Sequence, residues 1–308
     1  MIPYLFIGNG WEASLAIISD EPDFMPSLVI TQSYPGNPVI KICQNHSIDL
    51  LVIKSIDDIL TTSVINAIKE RNIKIAFVAS FKKIPAAFIE LFKYGIYNIH
   101  PSYLPQYRGP APVQWALINA EAITGVTLFK ITGEIDKGPI FRQIYVPILE
   151  DDNYIALTQR LFNCGKHLIK ELILSINTGV NINEILTPQP SLPHLKKAPK
   201  IPQEHYRISV RNMREKAYLF FRALFPEAYF EITSGETTLK IKIHDYSLDK
   251  IDGGIPAGTI TTDGKNELRF CLTPFCLLIK KIQREGKKVM SVDEFLRGFR
   301  NMDKFHII

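Results

Sequence analysis

Short apolar runs at 3–7, 28–31, 50–53, 73–79 and 96–100 recur through the first hundred residues, and amphipathic or turn-rich segments separate them. Runs of this length without in–out alternation suit strands covered on both faces. The intervening segments at 13–18, 39–46, 57–71 and 86–94 space their apolar residues as helices do. A strand that is followed each time by a helix returns parallel to its predecessor, because only a long crossover carries the chain back to the same end. The expectation is therefore an α/β chain built on a doubly wound, mostly parallel, Rossmann-like sheet.

The alternation then gives way. Residues 112–120 read as a further helix, 125–131 and 140–147 as paired strands, and 154–176 as a long amphipathic helix. The stretch TPQPSLPHLKKAPKIPQ at 187–203 holds five prolines and reads as a semi-rigid linker. Beyond it a helix at 213–224 precedes short alternating strands at 228–233, 238–244, 258–262, 268–272 and 277–283, then a helix at 292–299. That pattern fits a small OB-like β-barrel. The organisation expected is a first domain at 1–186, a linker at 187–204 and a second domain at 205–308, and 308 residues suit two cores.

Composition narrows the class. Hydrophobic residues make up 46% and charged residues 22%, which excludes a disordered chain. A net charge of +5 admits an anionic ligand without demanding nucleic acid. Cys43, Cys164, Cys271 and Cys276 show neither zinc spacing nor a CxxC pair, so they read as reduced, mostly buried thiols and no metal is expected. The opening apolar run stops at Gly8 with no basic leader, and no run reaches the roughly 20 residues of a membrane span, so a cytoplasmic protein is expected. Gly8 and Gly10 follow a strand, but position 13 holds Ala13 where a dinucleotide fingerprint has its third glycine, so a plain tight turn is the better reading.

Chemistry concentrates at 97–141. Asn98 and His100 stand two apart at the end of a strand and so share a face. Pro101 and Pro105 forbid a helix and make 102–109 a shaped loop, where open α/β sheets hold ligands. A later turn-rich segment carries Glu134, Asp136 and Gly138, and one acid there can reach the imidazole. No nucleophile elbow is present, so the residues suit direct attack on a carbonyl by an amine or water. Asn98 would donate to the growing oxyanion, His100 would move a proton, and Asp136 would hold the imidazole charged. The same residues also read as a structural histidine and a turn-forming aspartate.

The motifs resemble the folate-dependent formyltransferase family. The resemblance rests on Asn98-Ile99-His100, on Pro101-Ser102-Tyr103-Leu104-Pro105-Gln106-Tyr107-Arg108-Gly109, on Thr124-Gly125-Val126-Thr127 and on Asp136-Lys137-Gly138. Tyr103 stands where the family has leucine. Ala198-Pro199-Lys200-Ile201, Arg222-Ala223-Leu224-Phe225-Pro226 and the 283–298 stretch are similar to the carboxyl domain of methionyl-tRNA formyltransferases. The resemblance implies N10-formyltetrahydrofolate as donor, transfer to a primary amine, and Asn98, His100 and Asp136 as catalytic residues. It also implies that the 81–85 loop, with Phe81, Lys83 and Ile84, lines the pterin pocket. Ser102, Tyr103 and Arg108 become the candidate substrate contacts.

For the acceptor, tRNA-directed members carry a basic insertion after the second strand, whereas 32–38 here reads QSYPGNP without Lys or Arg. Phosphate contacts supply most RNA affinity. The expectation is therefore a small-molecule acceptor, a nucleotide-linked amino sugar of surface polysaccharide synthesis, with a possible homodimer. Initiator methionyl-tRNA is the alternative, and formyl-donor hydrolysis or a non-catalytic tRNA-binding module are more distant ones.

Overall fold

The computed structural model describes all residues except 18–20, 236, 251–254 and 300. The chain divides into two compact units. One comprises Met1–Pro112, Ile123–Pro147 and Leu157–Pro199; the other comprises Val113–Ala122, Ile148–Ala156 and Lys200–Ile308.

The first unit is built on a seven-stranded sheet of order β3-β2-β1-β4-β5-β6-β7. Its strands are β1 (Leu5–Gly8), β2 (Leu28–Gln32), β3 (Leu50–Ile53), β4 (Ile75–Ala79), β5 (Gly95–His100), β6 (Ile123–Lys130) and β7 (Ile140–Pro147). Strands β1 to β5 pair in parallel, and β6 and β7 add an antiparallel edge. The parallel crossovers carry α1 (Gly10–Ile17), α2 (Pro38–Asn45), α3 (Thr62–Glu70) and α4 (Ala86–Ile89). Helix α5 (Pro112–Ile118) follows β5, and α6 (Tyr154–Asn177) follows β7.

Two helices between the parallel strands are shorter than the apolar spacing predicts. In 57–71, Asp58 closes a capping box with Ser55, and Thr61 is extended at ψ 151°, so a 3-10 turn over Ile56–Leu60 precedes α3. In 86–94 the helix is a single turn, after which tight turns deliver Phe92 to the core and reach Gly95 at φ +88°. By contrast α2 starts where its capping residue dictates, with the Asn37 side chain accepting from the Val39 N–H and Pro38 opening the helix.

The core beneath this sheet runs from Leu5 and Ile30 through Ile68, Val78 and Ile84 to Phe88, Phe92 and Ile96. On β5, Ile96, Asn98 and His100 share one face, and Ile99 faces the other, where Gly165 of α6 packs so closely that an added Cβ would lie 2.8 Å from Ile99 Cγ2. Ile96 therefore anchors the strand in the core, while the two polar residues continue beyond it toward the carboxyl edge.

The second unit holds an eight-stranded, mostly antiparallel sheet. Its strands are β8 (Arg207–Ile208), β9 (Tyr229–Ser234), β10 (Thr237–Lys250), β11 (Ile260–Thr262), β12 (Leu268–Leu272), β13 (Phe275–Arg284), β14 (Met290–Ser291) and β15 (His306–Ile307). The order β11-β12-β13-β10-β9-β15 closes on itself through a Thr259–His306 bridge, which makes a barrel. A bulge between Ile243 and Tyr246 bends the long strand β10 around it.

One expectation is corrected here. Cys43 and Cys164 are free, but Cys271 and Cys276 form a disulfide. The turn at Thr273-Pro274 sets them directly opposite each other on β12 and β13, a register that scattered spacing in the sequence does not disclose. No helix among the described residues is long and apolar enough to cross a membrane.

Candidate active site

β5 places His100 opposite Thr127 of β6, and Thr127 in turn pairs with Gln143 of β7. These three side chains form one row on one face of the sheet. His100 is only 4% exposed, and its Nε2 lies 3.0 Å from the Tyr107 carbonyl oxygen. A carbonyl can only accept, so Nε2 carries a proton and Nδ1 is the nitrogen left to accept one. The Phe129 ring meets the imidazole edge-on at 6.5 Å. Asn98, half-buried beside it, makes no side-chain hydrogen bond to another described residue, so its amide is free to donate.

The loop after His100 is saturated with hydrogen bonds. Thr127 Oγ1 donates to the Ser102 carbonyl at 2.7 Å and accepts from the Leu104 N–H and from Gln143 Nε2. Gln143 also donates to the Leu104 carbonyl, and Leu104 itself is buried against Phe129 and Ile140. The fully buried Ser102 donates its hydroxyl to the Gln106 carbonyl at 2.7 Å, so its oxygen serves the loop's own shape. Tyr107 sits at φ +59°, a left-handed conformation unusual for a bulky residue.

Residues 187–198, which the composition presents as a spacer, run as a strap along this loop. Tyr107 N–H donates to the Lys196 carbonyl, Ala198 N–H to Arg108, and Ala111 N–H to Ala198. Gln189 Nε2 donates to the carbonyls of both Asp136 and Gly138 at 2.9 Å, and its Oε1 accepts from Arg108 at 2.5 and 3.1 Å. The prolines are real, but the peptide groups of Thr187, Lys196 and Ala198 are paired with Ile140 of β7 and with Gln106, Tyr107, Arg108 and Ala111 of the loop.

Asp136 is brought to the same place by a different route than expected. Its Oδ2 accepts from the Gly109 N–H at 3.0 Å, two residues beyond the carbonyl that holds His100. Among the described residues no hydrogen bond or ion pair within 4.0 Å joins Asp136 to His100. The imidazole and the carboxylate are thus tied to one kink, Tyr107 to Gly109, and not to each other. Asp136 also has a left-handed φ of +53°, so strained backbone gathers at this kink. Gly138 is required by close approach: a Cβ there would lie 1.7 Å from the Lys130 carbonyl oxygen. Glu134 pairs with Lys137, whose ammonium lowers its pKa, and is exposed.

The 80–85 segment leaves the carboxyl end of β4, the strand beside β5. Ser80 is left-handed at φ +50°. Ile84 is buried in the core with Phe81 packed partly against it, and Lys83 is exposed. The N–H groups of Phe81, Lys82, Lys83 and Ile84 make no hydrogen bond to a described residue. Unpaired donors beside a half-buried ring are what a flat, polar-edged ligand needs. On the other flank Tyr103 stacks on Tyr145 of β7, with ring centroids 3.8 Å apart and planes 6° from parallel. A hydrogen bond with the Tyr145 side chain, together with burial, holds the Tyr103 hydroxyl above its ordinary pKa.

Thr127, Gln143 and Gln189 escape sequence reading because a lone Thr or Gln in a strand or Pro-rich stretch carries no spacing signal. Period-two alternation from Gly125 could have set Thr127 on the face of its neighbours, but only the strand pairing shows that this is the face of His100.

Comparison with known proteins adds a family context. Residues 15–173 match the model described as Formyl transferase, and 200–300 match Formyl transferase, C-terminal domain. A methionyl-tRNA formyltransferase of Bacteroides fragilis is 33% identical over 276 residues, covering 87% of this chain and 83% of the relative. One from Thermodesulfovibrio yellowstonii is 35% identical over 246 residues, covering 78% and 76%. Among solved structures, a sugar 3N-formyl transferase crystallised with dTDP and 5-N-formyl-THF aligns with TM-score 0.57 at 21% identity, covering 94% of this chain and 99% of the other. HypX from Aquifex aeolicus in complex with tetrahydrofolic acid aligns with TM-score 0.64 at 16% identity, covering 97% of this chain and 48% of the other. These last two share the fold.

The relatives overturn the expected nucleotide-linked amino sugar acceptor and the low rank given to tRNA, since similarity over most of the chain is to enzymes named for methionyl-tRNA. That expectation rested on the uncharged 32–38 loop. The loop is a compact turn in which Asn37 donates to Thr31 Oγ1 and the Gln32 carbonyl. Its lack of charge does not limit phosphate contacts elsewhere. In the second unit, Lys240 and Lys242 pair with Glu285 and Glu227, but the exposed Lys280, Lys281, Lys287 and Lys288 have no acidic partner among the described residues.

Proposed function

The chain belongs to the formyl transferase family, and from that premise we propose that it formylates the α-amine of initiator methionyl-tRNA with N10-formyltetrahydrofolate as donor. The observation that carries the acceptor is the 31–35% identity, over most of the chain, to methionyl-tRNA formyltransferases. Under this reading the enzyme works in the cytoplasm, where charged initiator tRNA is made and consumed.

The donor supplies an activated one-carbon unit. The chain's residues would hold it on the β4 side, where the free N–H groups of 81–84 meet the polar edge of a pterin and Phe81 offers a flat apolar contact. Asn98 donates to the formyl oxygen as charge grows there. His100, with Nε2–H fixed on the Tyr107 carbonyl, would take the proton of the attacking amine at Nδ1 and return it to N10 of the folate as the bond from the formyl carbon to N10 breaks. Asp136 fixes the Gly109 N–H and so holds the kink that orients the imidazole. Fixing these groups before the substrate arrives lowers the reorganisation needed at the moment of reaction.

The test is formylation of methionyl-tRNA by the purified chain with each candidate donor. Formyl-methionyl-tRNA is expected with N10-formyltetrahydrofolate and not with formate and ATP. Donor consumption at an unchanged rate without tRNA would instead identify a hydrolase.

A further inference from the structure

Tyr145 is a large aromatic left 62% exposed on β7, the edge strand of the sheet. One face of its ring is covered by Tyr103, so the stack presents a single open aromatic face to solvent. This arrangement is built into the sheet. Gly125 pairs with Tyr145 across β6 and β7, and a Cβ at 125 would lie 3.0 Å from Tyr103 Cδ2 and 3.1 Å from Tyr103 Cβ. The missing side chain at 125 is what lets the Tyr103 ring lie down beside its partner. Tyr103 is also anchored from both sides, because Ser102 and Leu104 are fixed by Thr127.

The position matters as much as the surface. Gly125 and Tyr145 lie on the same face as Thr127 and Gln143, one step of two residues along each strand. From His100 the platform is two strands across and two residues along, about 12 Å by strand spacing and rise. In the strand order β4-β5-β6-β7, the 80–85 segment with its free N–H groups follows β4, on the opposite flank of β5. The two flanks therefore offer different chemistry, backbone donors on one and an open π-face on the other.

We propose that the Tyr103–Tyr145 pair is a stacking platform for an unpaired nucleobase near the 3′ end of the tRNA acceptor, setting affinity for that substrate without taking part in the chemistry. A single-stranded RNA end suits such a surface because every base has a π-face and stacks on aromatic side chains without sequence readout. The proposal rests on the methionyl-tRNA reading and names how that acceptor is gripped.

Steady-state kinetics of the full chain with methionyl-tRNA test it, using Tyr145→Ala, Tyr145→Phe and Tyr103→Leu. Loss of one base stack should raise KM for methionyl-tRNA about 10-fold in Tyr145→Ala. The kcat and the KM for N10-formyltetrahydrofolate should stay within about twofold. Tyr145→Phe keeps the ring and should keep the wild-type KM; Tyr103→Leu removes the support and should raise it. Unchanged KM for tRNA in both Tyr145→Ala and Tyr103→Leu would overturn the platform while leaving the functional reading intact. A Tyr145→Phe as impaired as Tyr145→Ala, together with an unimpaired Tyr103→Leu, would also overturn it, since the Tyr145 hydroxyl and not the stack would then matter. Wild-type enzyme unable to formylate tRNA would overturn the functional reading, and the platform with it. Circular dichroism and melting of each variant confirm that the exposed substitution leaves the fold in place.

Discussion

Two segments leave adjacent parallel strands at the same edge of the sheet, and they are built in opposite ways. After β4, residues 81–84 present four N–H groups without partners and exposed lysine side chains. After β5, residues 102–109 spend nearly every polar group on the protein itself, through Thr127, Gln143, Lys196 and Ala198. Unspent donors are capacity to bind something else. Spent ones are rigidity, and rigidity at the His100 end is what a group that must meet a reacting atom requires.

The largest effects belong to the rigid segment. His100→Ala should lower kcat by about 10²- to 10⁴-fold, and Asn98→Ala by about 10²- to 10³-fold, with little change in KM for either substrate. Rapid-quench and steady-state assays of N-formylmethionyl-tRNA measure both. Wild-type kcat in either variant would remove that residue from the chemistry.

Thr127→Val sharpens the contrast by keeping shape while deleting a hydroxyl that makes three hydrogen bonds. The Ser102 carbonyl, the Leu104 N–H and Gln143 lose a partner in a buried place, which should cost about 3 kcal/mol. Differential scanning calorimetry should show the melting temperature falling by roughly 6 to 12 °C. A melt within about 1 °C of wild type would show that the loop's rigidity has another source.

The smallest effect belongs to the open segment. Lys83 is exposed and without a partner, so Lys83→Ala should change KM for the donor less than about threefold. A loss of 10-fold or more would mean that the segment reads its ligand by side-chain charge and not by backbone.

This contrast was only half legible in the sequence. Apolar runs suffice for β1, β2, β4 and β5, which are nearly all buried, and the partly exposed edge strand β3 keeps its apolar run as well. Asn98 and His100 were marked as candidates by their two-residue spacing at a strand end. Their supports were not, because Thr127, Gln143 and Gln189 act through strand pairing and chain crossing. The strap at 187–198 was hidden by its own prolines, which mark an extended chain but do not say what its remaining peptide groups bind. The Cys271–Cys276 pair depended on a hairpin register in the same way. What sequence spacing cannot carry is the meeting of residues far apart in the chain, and that is where Asp136 reaches Gly109 instead of the imidazole.

The Tyr107 carbonyl, and no carboxylate among the described residues, sets which nitrogen of His100 faces the substrates. Nitrogen-15 NMR of the imidazole in the folded enzyme reads this directly. The expected result is a proton on Nε2 with Nδ1 as the accepting nitrogen, and the opposite tautomer, with the proton on Nδ1 alone, would overturn it.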